Sequence, residues 1–115
     1  MNRTTRAAAV AALALVGGIV FSSSAAAAPD AEAAKAAARQ NNCFKCHGTD
    51  KAKDGPSLKS ISEKFKGQGD AEAKLTNHLT SGEMAKFPDG HTEEHKKFEG
   101  DAAALKNLVD WILSL

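Results

Sequence analysis

The chain has 115 residues, a length that is enough for one small domain, and its formal net charge is +1. Lysines and acidic residues are interspersed along it, and this excludes the massed basic patch that binds nucleic acid. Tyrosine is absent, and five phenylalanines and one tryptophan are the only aromatic residues. A core with so few large side chains needs a disulfide, a metal or a cofactor, and the chain has a single pair of cysteines.

The first residues have the layout of a secretory signal peptide. Arg3 and Arg6 precede an apolar run over 7–21, which is short for a membrane span, and small residues follow. We expect cleavage after Ala27, so that residues 1–27 are the signal peptide. The mature domain would be residues 28–115, soluble in the periplasm, with a formal charge of −1 and no stable membrane insertion. An uncleaved N-terminal anchor is the alternative.

Four helices are predicted in the mature chain. Asp30 is a suitable N-cap for an alanine-rich first helix, and Asp70 and Asp101 can cap the third and fourth. Apolar residues at helical spacing and the positions of glycines then predict helices over 31–40, 57–65, 71–81 and 102–115. Residues 83–100 show no periodicity and are predicted to form a long loop, of the kind that is usually functional. Because no segment alternates as a strand does, the predicted fold class is all-α.

The segment Cys43-Phe44-Lys45-Cys46-His47 carries the chemistry. C-x-x-C-H is the signature of covalent haem attachment, in which the two thiols add to the haem vinyl groups. His47 would then bind the iron. Two other interpretations compete: a disulfide between Cys43 and Cys46, and half of a zinc site. Zinc would need two further ligands, for which His91 and His95 are the only recognisable pair.

With these residues the mature chain resembles the class I cytochromes c, especially the short bacterial monohaem kind. Supporting matches are Gly55-Pro56, residues 64–68, the helix that runs to Leu79 and the Val109–Ser114 segment that contains Trp111. The resemblance implies a cytochrome c fold of about four helices around one covalent haem c, with the first and last helices crossing near Trp111. It also implies that the Pro56 carbonyl accepts a hydrogen bond from His47, which would fix the ring.

The sixth iron ligand departs from the family pattern, in which a methionine lies near the end of the loop before the last helix. The only methionine of the mature chain, Met84, lies at the start of that loop, whereas His95 lies at the family position. We therefore predict His47 and His95 as the axial ligands. Met84 is the alternative, followed by His91, His78 or a vacant position.

These residues favour a diffusible one-electron carrier that is not an enzyme, because two strong ligands leave no substrate position on the iron. Its partners would be redox proteins, which dock through small interfaces. Seven lysines could surround the haem edge and attract an acidic partner: Lys45, Lys51, Lys53, Lys59, Lys86, Lys96 and Lys97. A haem enzyme or gas binder, and a subunit of a larger oxidoreductase, remain as alternatives.

Overall fold

The computed structural model describes residues 18–20, 22 and 27–115. The predicted signal peptide, residues 1–27, lies largely outside the described residues. Of the described residues, no helix is long and apolar enough to cross a membrane.

Four α-helices form the domain, as predicted. They are α1 (Ala31–Gln40), α2 (Leu58–Phe65), α3 (Ala71–Ser81) and α4 (Ala102–Leu113), and a short 3₁₀ turn at Cys43–Lys45 follows α1.

The helix ends follow from local side-chain chemistry. Asp30 and Asp101 accept hydrogen bonds from backbone N–H groups in the first turns of α1 and α4, and Ser57 does so for α2. Asp70 is the N-cap residue of α3, but its side chain makes no capping bond and instead lies 3.1 Å from the Lys74 ammonium. Gly82 ends α3 with a φ of +69°, the left-handed conformation that glycine adopts most readily.

The core lies where α1 packs against α4, and α2 and α3 also contact α4. Ala34 and Ala38 are fully buried, and their small side chains let the two helix backbones approach closely. Trp111 is buried at 4% exposure within the same cluster, in the structural position that the resemblance implied. In the part of the chain that the structure describes, Leu108 and Val109 are the large side chains that are less than 2% exposed, so the protein core is thin, as the composition indicated.

A β-hairpin occupies part of the predicted loop, which corrects the expectation that the chain has no strands. Strands β1 (Met84–Lys86) and β2 (Thr92–Glu94) pair antiparallel, with Met84 opposite Glu94. The Phe87 N–H donates to the His91 carbonyl at 2.9 Å, and the two rings stack at 4.3 Å. The strands are mostly exposed and polar, so backbone pairing and this ring contact hold the hairpin without the alternating apolar face that predicts a strand.

Two asparagines connect distant parts of the chain. The buried Asn41 amide donates to the Glu99 carbonyl at 3.1 Å and accepts from the Glu99 N–H at 2.7 Å. In the same way, the Asn107 amide bonds both backbone groups of Asp30, each at 2.8 Å. The first contact fixes the segment before α4 to the end of α1, and the second fixes the start of α1 to α4.

Candidate functional site

The Cys43–Lys45 turn brings the motif side chains to one cavity. The His47 N–H donates to the Cys43 carbonyl at 2.9 Å, so the chain makes a single turn between the first cysteine and the histidine. Cys43, Cys46 and His47 all line the cavity, and both thiols are free. Burial raises the pKa of the Cys43 thiol, against smaller lowering effects from the backbone and Lys96. Before haem is attached, the Cys43 thiol is therefore neutral at neutral pH.

Hydrogen bonding fixes the orientation of His47. Its Nδ1 lies 2.7 Å from the Pro56 carbonyl oxygen, and because a carbonyl only accepts, Nδ1 carries the proton. The Nε2 lone pair is consequently free to bind a metal. Gly55 leaves room for this arrangement, since a Cβ at that position would lie 2.6 Å from His47 Cε1 and 2.9 Å from Nδ1.

The cavity has a volume of about 900 Å³, which suits a large organic cofactor. Helices α2, α3 and α4 and the residues around the hairpin provide most of its wall. The apolar part of the lining includes Leu58, Ile61, Phe65, Leu75, Leu79, Phe98, Leu108 and Ile112. These residues belong to the same cluster as the core or pack against it, so the cavity is continuous with the hydrophobic interior.

His95 lies on the same cavity, directly after β2. Its ring centroid is 6.1 Å from that of His47, with the ring planes inclined at 45°. Its Nδ1 lies 3.0 Å from the Lys96 carbonyl oxygen, so this nitrogen is also protonated and its Nε2 is free. Burial lowers the pKa of His95, as do the nearby His78 and His47 to a smaller extent. The ring is therefore neutral at neutral pH, which is the form that binds metals.

The other candidate ligands lie elsewhere or play another role. Met84 on β1 is 63% exposed and is not among the residues that line the cavity, whereas His95 and His47 both line it. His91 is at the hairpin turn, where its ring bonds the Asp89 carboxylate and lies 3.3 Å from that of Glu93. Across the described ranges, 18–20, 22 and 27–115, no three His, Cys, Asp or Glu side chains are grouped so as to hold a metal ion.

Sequence reasoning missed how two residues contribute to the site. His78 was only a lesser alternative as the iron ligand, but it lies at the cavity wall with its ring 4.0 Å from that of His95. Its Nδ1 bonds the Glu83 carboxylate, and the Glu83 carbonyl accepts the His95 N–H at 2.9 Å. The left-handed turn at Gly82 reverses the chain, so that Glu83 reaches His78 in the last turn of α3. Gly82 was the one feature of the sequence that could have indicated this contact.

Charges of both signs surround the cavity. Five lysines and five carboxylates line it: Lys64, Lys74, Lys86, Lys96, Lys97, Asp54, Asp70, Glu83, Glu93 and Glu94. Of the seven lysines that we expected around the haem edge, three line the cavity: Lys86, Lys96 and Lys97. The Lys97 ammonium is paired with the Glu94 carboxylate at 3.2 Å. The lining is therefore mixed in charge.

The fold and this site are those of a haem-binding electron carrier. The cytochrome c family model matches residues 31–115, and the chain belongs to that family. It is accordingly a class I c-type cytochrome, an electron carrier with one haem c attached covalently through Cys43 and Cys46. This confirms the resemblance and the cofactor that the C-x-x-C-H motif predicted.

Individual relatives agree with this assignment. The cytochromes c-551 of Allochromatium vinosum and Pseudomonas aeruginosa are 30% and 27% identical to the chain, over 68% and 73% of its length and 81% and 78% of theirs. Among solved structures, the class 1 cytochrome MtoD of Sideroxydans lithotrophicus ES-1 is 65% identical, with a TM-score of 0.75. That similarity covers 76% of this chain and 97% of MtoD. Cytochrome c552 of Nitrosomonas europaea is 29% identical with a TM-score of 0.58, covering 70% and 98%.

The residues present fit the cofactor. The cavity is large and its exposed lining is mostly apolar, with charged residues among the lining, both thiols are free, and two imidazoles each keep an unprotonated nitrogen. A bound haem would supply reversible one-electron exchange at its iron. The chain would supply the covalent attachment, the axial nitrogens and an apolar surrounding that influences the reduction potential.

Proposed function

We propose that this protein is an exported one-electron carrier whose iron is bound by His47 on one side and His95 on the other. The separation of the two imidazole rings supports the ligand pair. Each ligating nitrogen would lie about 2 Å from the metal and about 1.1 Å from its ring centre, which places the two centroids roughly 6 Å apart. The observed centroid distance is 6.1 Å.

Hydrogen bonds hold both rings in the state that ligation requires. In each histidine Nδ1–H donates to a backbone carbonyl, of Pro56 for His47 and of Lys96 for His95. Such bonds fix the tautomer and the ring orientation before a metal is bound. Little rearrangement would then accompany a change of one electron.

This ligation favours a role as an electron carrier over a role as an enzyme. Two nitrogens from the chain would occupy both axial positions and leave none for a substrate. A second histidine in place of methionine lowers the reduction potential of a haem. The protein would therefore exchange electrons at a lower potential than a histidine–methionine cytochrome of the same fold.

Near-infrared magnetic circular dichroism of the oxidised protein tests the ligand pair. The charge-transfer band should lie at the position of bis-histidine haem, and His95→Ala should convert the spectrum to high-spin. Met84→Ala is the matched control and should leave the band in place. A histidine–methionine band that disappears in Met84→Ala would overturn the assignment, and a high-spin spectrum of the unaltered protein would favour an enzyme or a gas binder.

Export is proposed from the N-terminal composition alone. If residues 1–27 are removed during translocation, the haem protein isolated from its own cells should begin at Ala28 and appear in the periplasmic fraction. N-terminal sequencing of that fraction checks this, and a membrane-bound product that keeps residues 1–27 would show an anchor instead.

A further inference from the structure

We infer that His78 is a positioning residue: its imidazole, held by Glu83, packs against the His95 ring and limits how that ring can turn or leave the iron. This inference rests on the proposed ligation by His95. It adds a function to a residue of α3 that lies outside the C-x-x-C-H motif and outside the axial pair.

The ring contact is the first observation. The centroids of His78 and His95 are 4.0 Å apart, and their planes are inclined at 48°. Aromatic rings within this distance attract one another beyond the effect of burial alone. An imidazole coordinated through Nε2 can still rotate about its bond to the metal, and a neighbouring ring at this distance restricts that rotation.

The second observation is that one residue holds both histidines. The Glu83 carboxylate accepts a hydrogen bond from His78 Nδ1–H, while the Glu83 backbone carbonyl accepts the His95 N–H at 2.9 Å. The first bond fixes the His78 ring, and the second fixes the backbone of His95. Glu83 thus fixes the position of each ring relative to the other.

The end of α3 also anchors the chain on the far side of His95. The last four carbonyls of a helix have no hydrogen-bond donor within the helix, and Leu79 carries one of them in α3. This carbonyl accepts a hydrogen bond from the Phe98 N–H at 2.7 Å. Residues 95–98 are therefore attached at both ends to the last turn of α3 and the residues that follow it. His78 lies on that last turn, so it belongs to the same part of α3 that anchors the segment it contacts.

The test measures how easily His95 gives up the iron. Cyanide is the probe, because it binds ferric haem by displacing a distal ligand. Loss of a ring contact of this kind corresponds to about a 2- to 10-fold increase in cyanide affinity for His78→Ala. The ferric electron paramagnetic resonance spectrum should remain low-spin with shifted g values, because those values depend on the relative orientation of the two imidazoles.

Two variants separate ring packing from a general structural effect. His78→Phe keeps an aromatic ring against His95 and should restore most of the cyanide resistance. Glu83→Ala removes the bond to His78 but not the backbone carbonyl, so it should weaken resistance less than His78→Ala. Thr80→Ala is the control on the same helix, since its hydroxyl bonds only the Thr76 carbonyl, and it should match the unaltered protein.

The outcomes distinguish the inference from the ligation on which it depends. Unchanged g values and cyanide affinity in His78→Ala would overturn the positioning role while leaving His95 as ligand. A high-spin His78→Ala together with a low-spin His95→Ala would make His78 the ligand and overturn both statements. Equal effects of His78→Phe and His78→Ala would show that the aromatic ring is not what matters.

Discussion

At the scale of single residues, Gly55 decides how His47 can be placed. A side chain at this position would overlap the imidazole, because the Cβ would lie 2.6 Å from Cε1 and 3.2 Å from the Cys46 carbonyl oxygen. The absence of a side chain therefore lets the Pro56 carbonyl reach Nδ1 at 2.7 Å.

Gly55→Ala should displace the His47 ring from the Pro56 carbonyl. We expect an altered reduction potential and a loss of about 1 to 3 kcal/mol in the free energy of unfolding, the usual cost of overpacking. Protein-film voltammetry and guanidinium denaturation measure the two quantities. Gly69→Ala is the control, since a Cβ there meets nothing within 4 Å. If both variants behaved alike, the close approach at Gly55 would have no influence on the iron.

The hairpin turn contains a histidine, His91, whose pKa depends mainly on the neighbouring Asp89. The Asp89 carboxylate accepts a hydrogen bond from the His91 ring and raises the pKa of that histidine, and Glu93 adds to the effect. In return, bonds from the His91 backbone and ring lower the pKa of Asp89. A raised pKa in the folded protein means that His91 contributes stability below its ordinary pKa, and that this contribution is lost as the pH rises through the raised value.

Asp89→Asn should bring the pKa of His91 back toward its ordinary value. The change is followed by titrating the His91 ring protons by NMR in the reduced protein, with Asp54→Asn as a control at a carboxylate that does not contribute to the His91 shift. A His91 pKa that stays raised in Asp89→Asn would show that Glu93 alone is responsible.

At the scale of elements, two amides fix α1 to later parts of the chain through similar bonds in different surroundings. Asn41 is 5% exposed, whereas the Asn107 bonds to Asp30 are at the surface. A buried polar group that loses its partner costs more than an exposed one, which can bind water instead.

Asn41→Ala should therefore destabilise the protein more than Asn107→Ala. We expect a loss of about 1 to 3 kcal/mol for the buried amide, whose removal leaves both backbone groups of Glu99 without that partner, and about 0.5 to 1.5 kcal/mol for the other. Guanidinium denaturation of the two holoproteins side by side gives the comparison. The reverse order would mean that the segment before α4 reorganises freely when Asn41 is lost.

The elements also show what the sequence could and could not predict. The four helices were predicted because their apolar periodicity, Asp caps and Gly stops are local signals. The β1–β2 hairpin was missed, since its strands have three residues each, are mostly exposed and bury no face long enough to give a period of two. The contact of His78 with His95 depends on how α3 meets the loop, and no local pattern records that tertiary arrangement.

At the scale of the whole molecule, the cofactor takes the place that larger side chains fill in other small domains. Among the described residues, Leu108 and Val109 are the large side chains with less than 2% exposure, and all four helices border a cavity of about 900 Å³. A cavity of that size with an apolar lining is unfavourable unless it is filled.

Removal of the cofactor should consequently unfold the domain. In a Cys43→Ser, Cys46→Ser variant produced without haem, we expect far-UV circular dichroism to lose most of its helical signal and the thermal transition to disappear. The matched control is the unaltered holoprotein produced with the same export signal. A haem-free variant that kept a cooperative transition would show that the α1–α4 crossing is stable by itself.

The distance along the chain between the two facing histidines has a consequence for the unfolded state. His47 and His95 are 48 positions apart, and their rings meet across one cavity. If both bind one iron, the metal closes that stretch into a loop, and in the chain-entropy treatment of cross-links such a loop raises the free energy of the unfolded chain by about 4 kcal/mol. The enclosed residues include α2, α3 and the polar hairpin. Topological restraint can thus keep an exposed, charged segment in place where its own packing is too weak to do so.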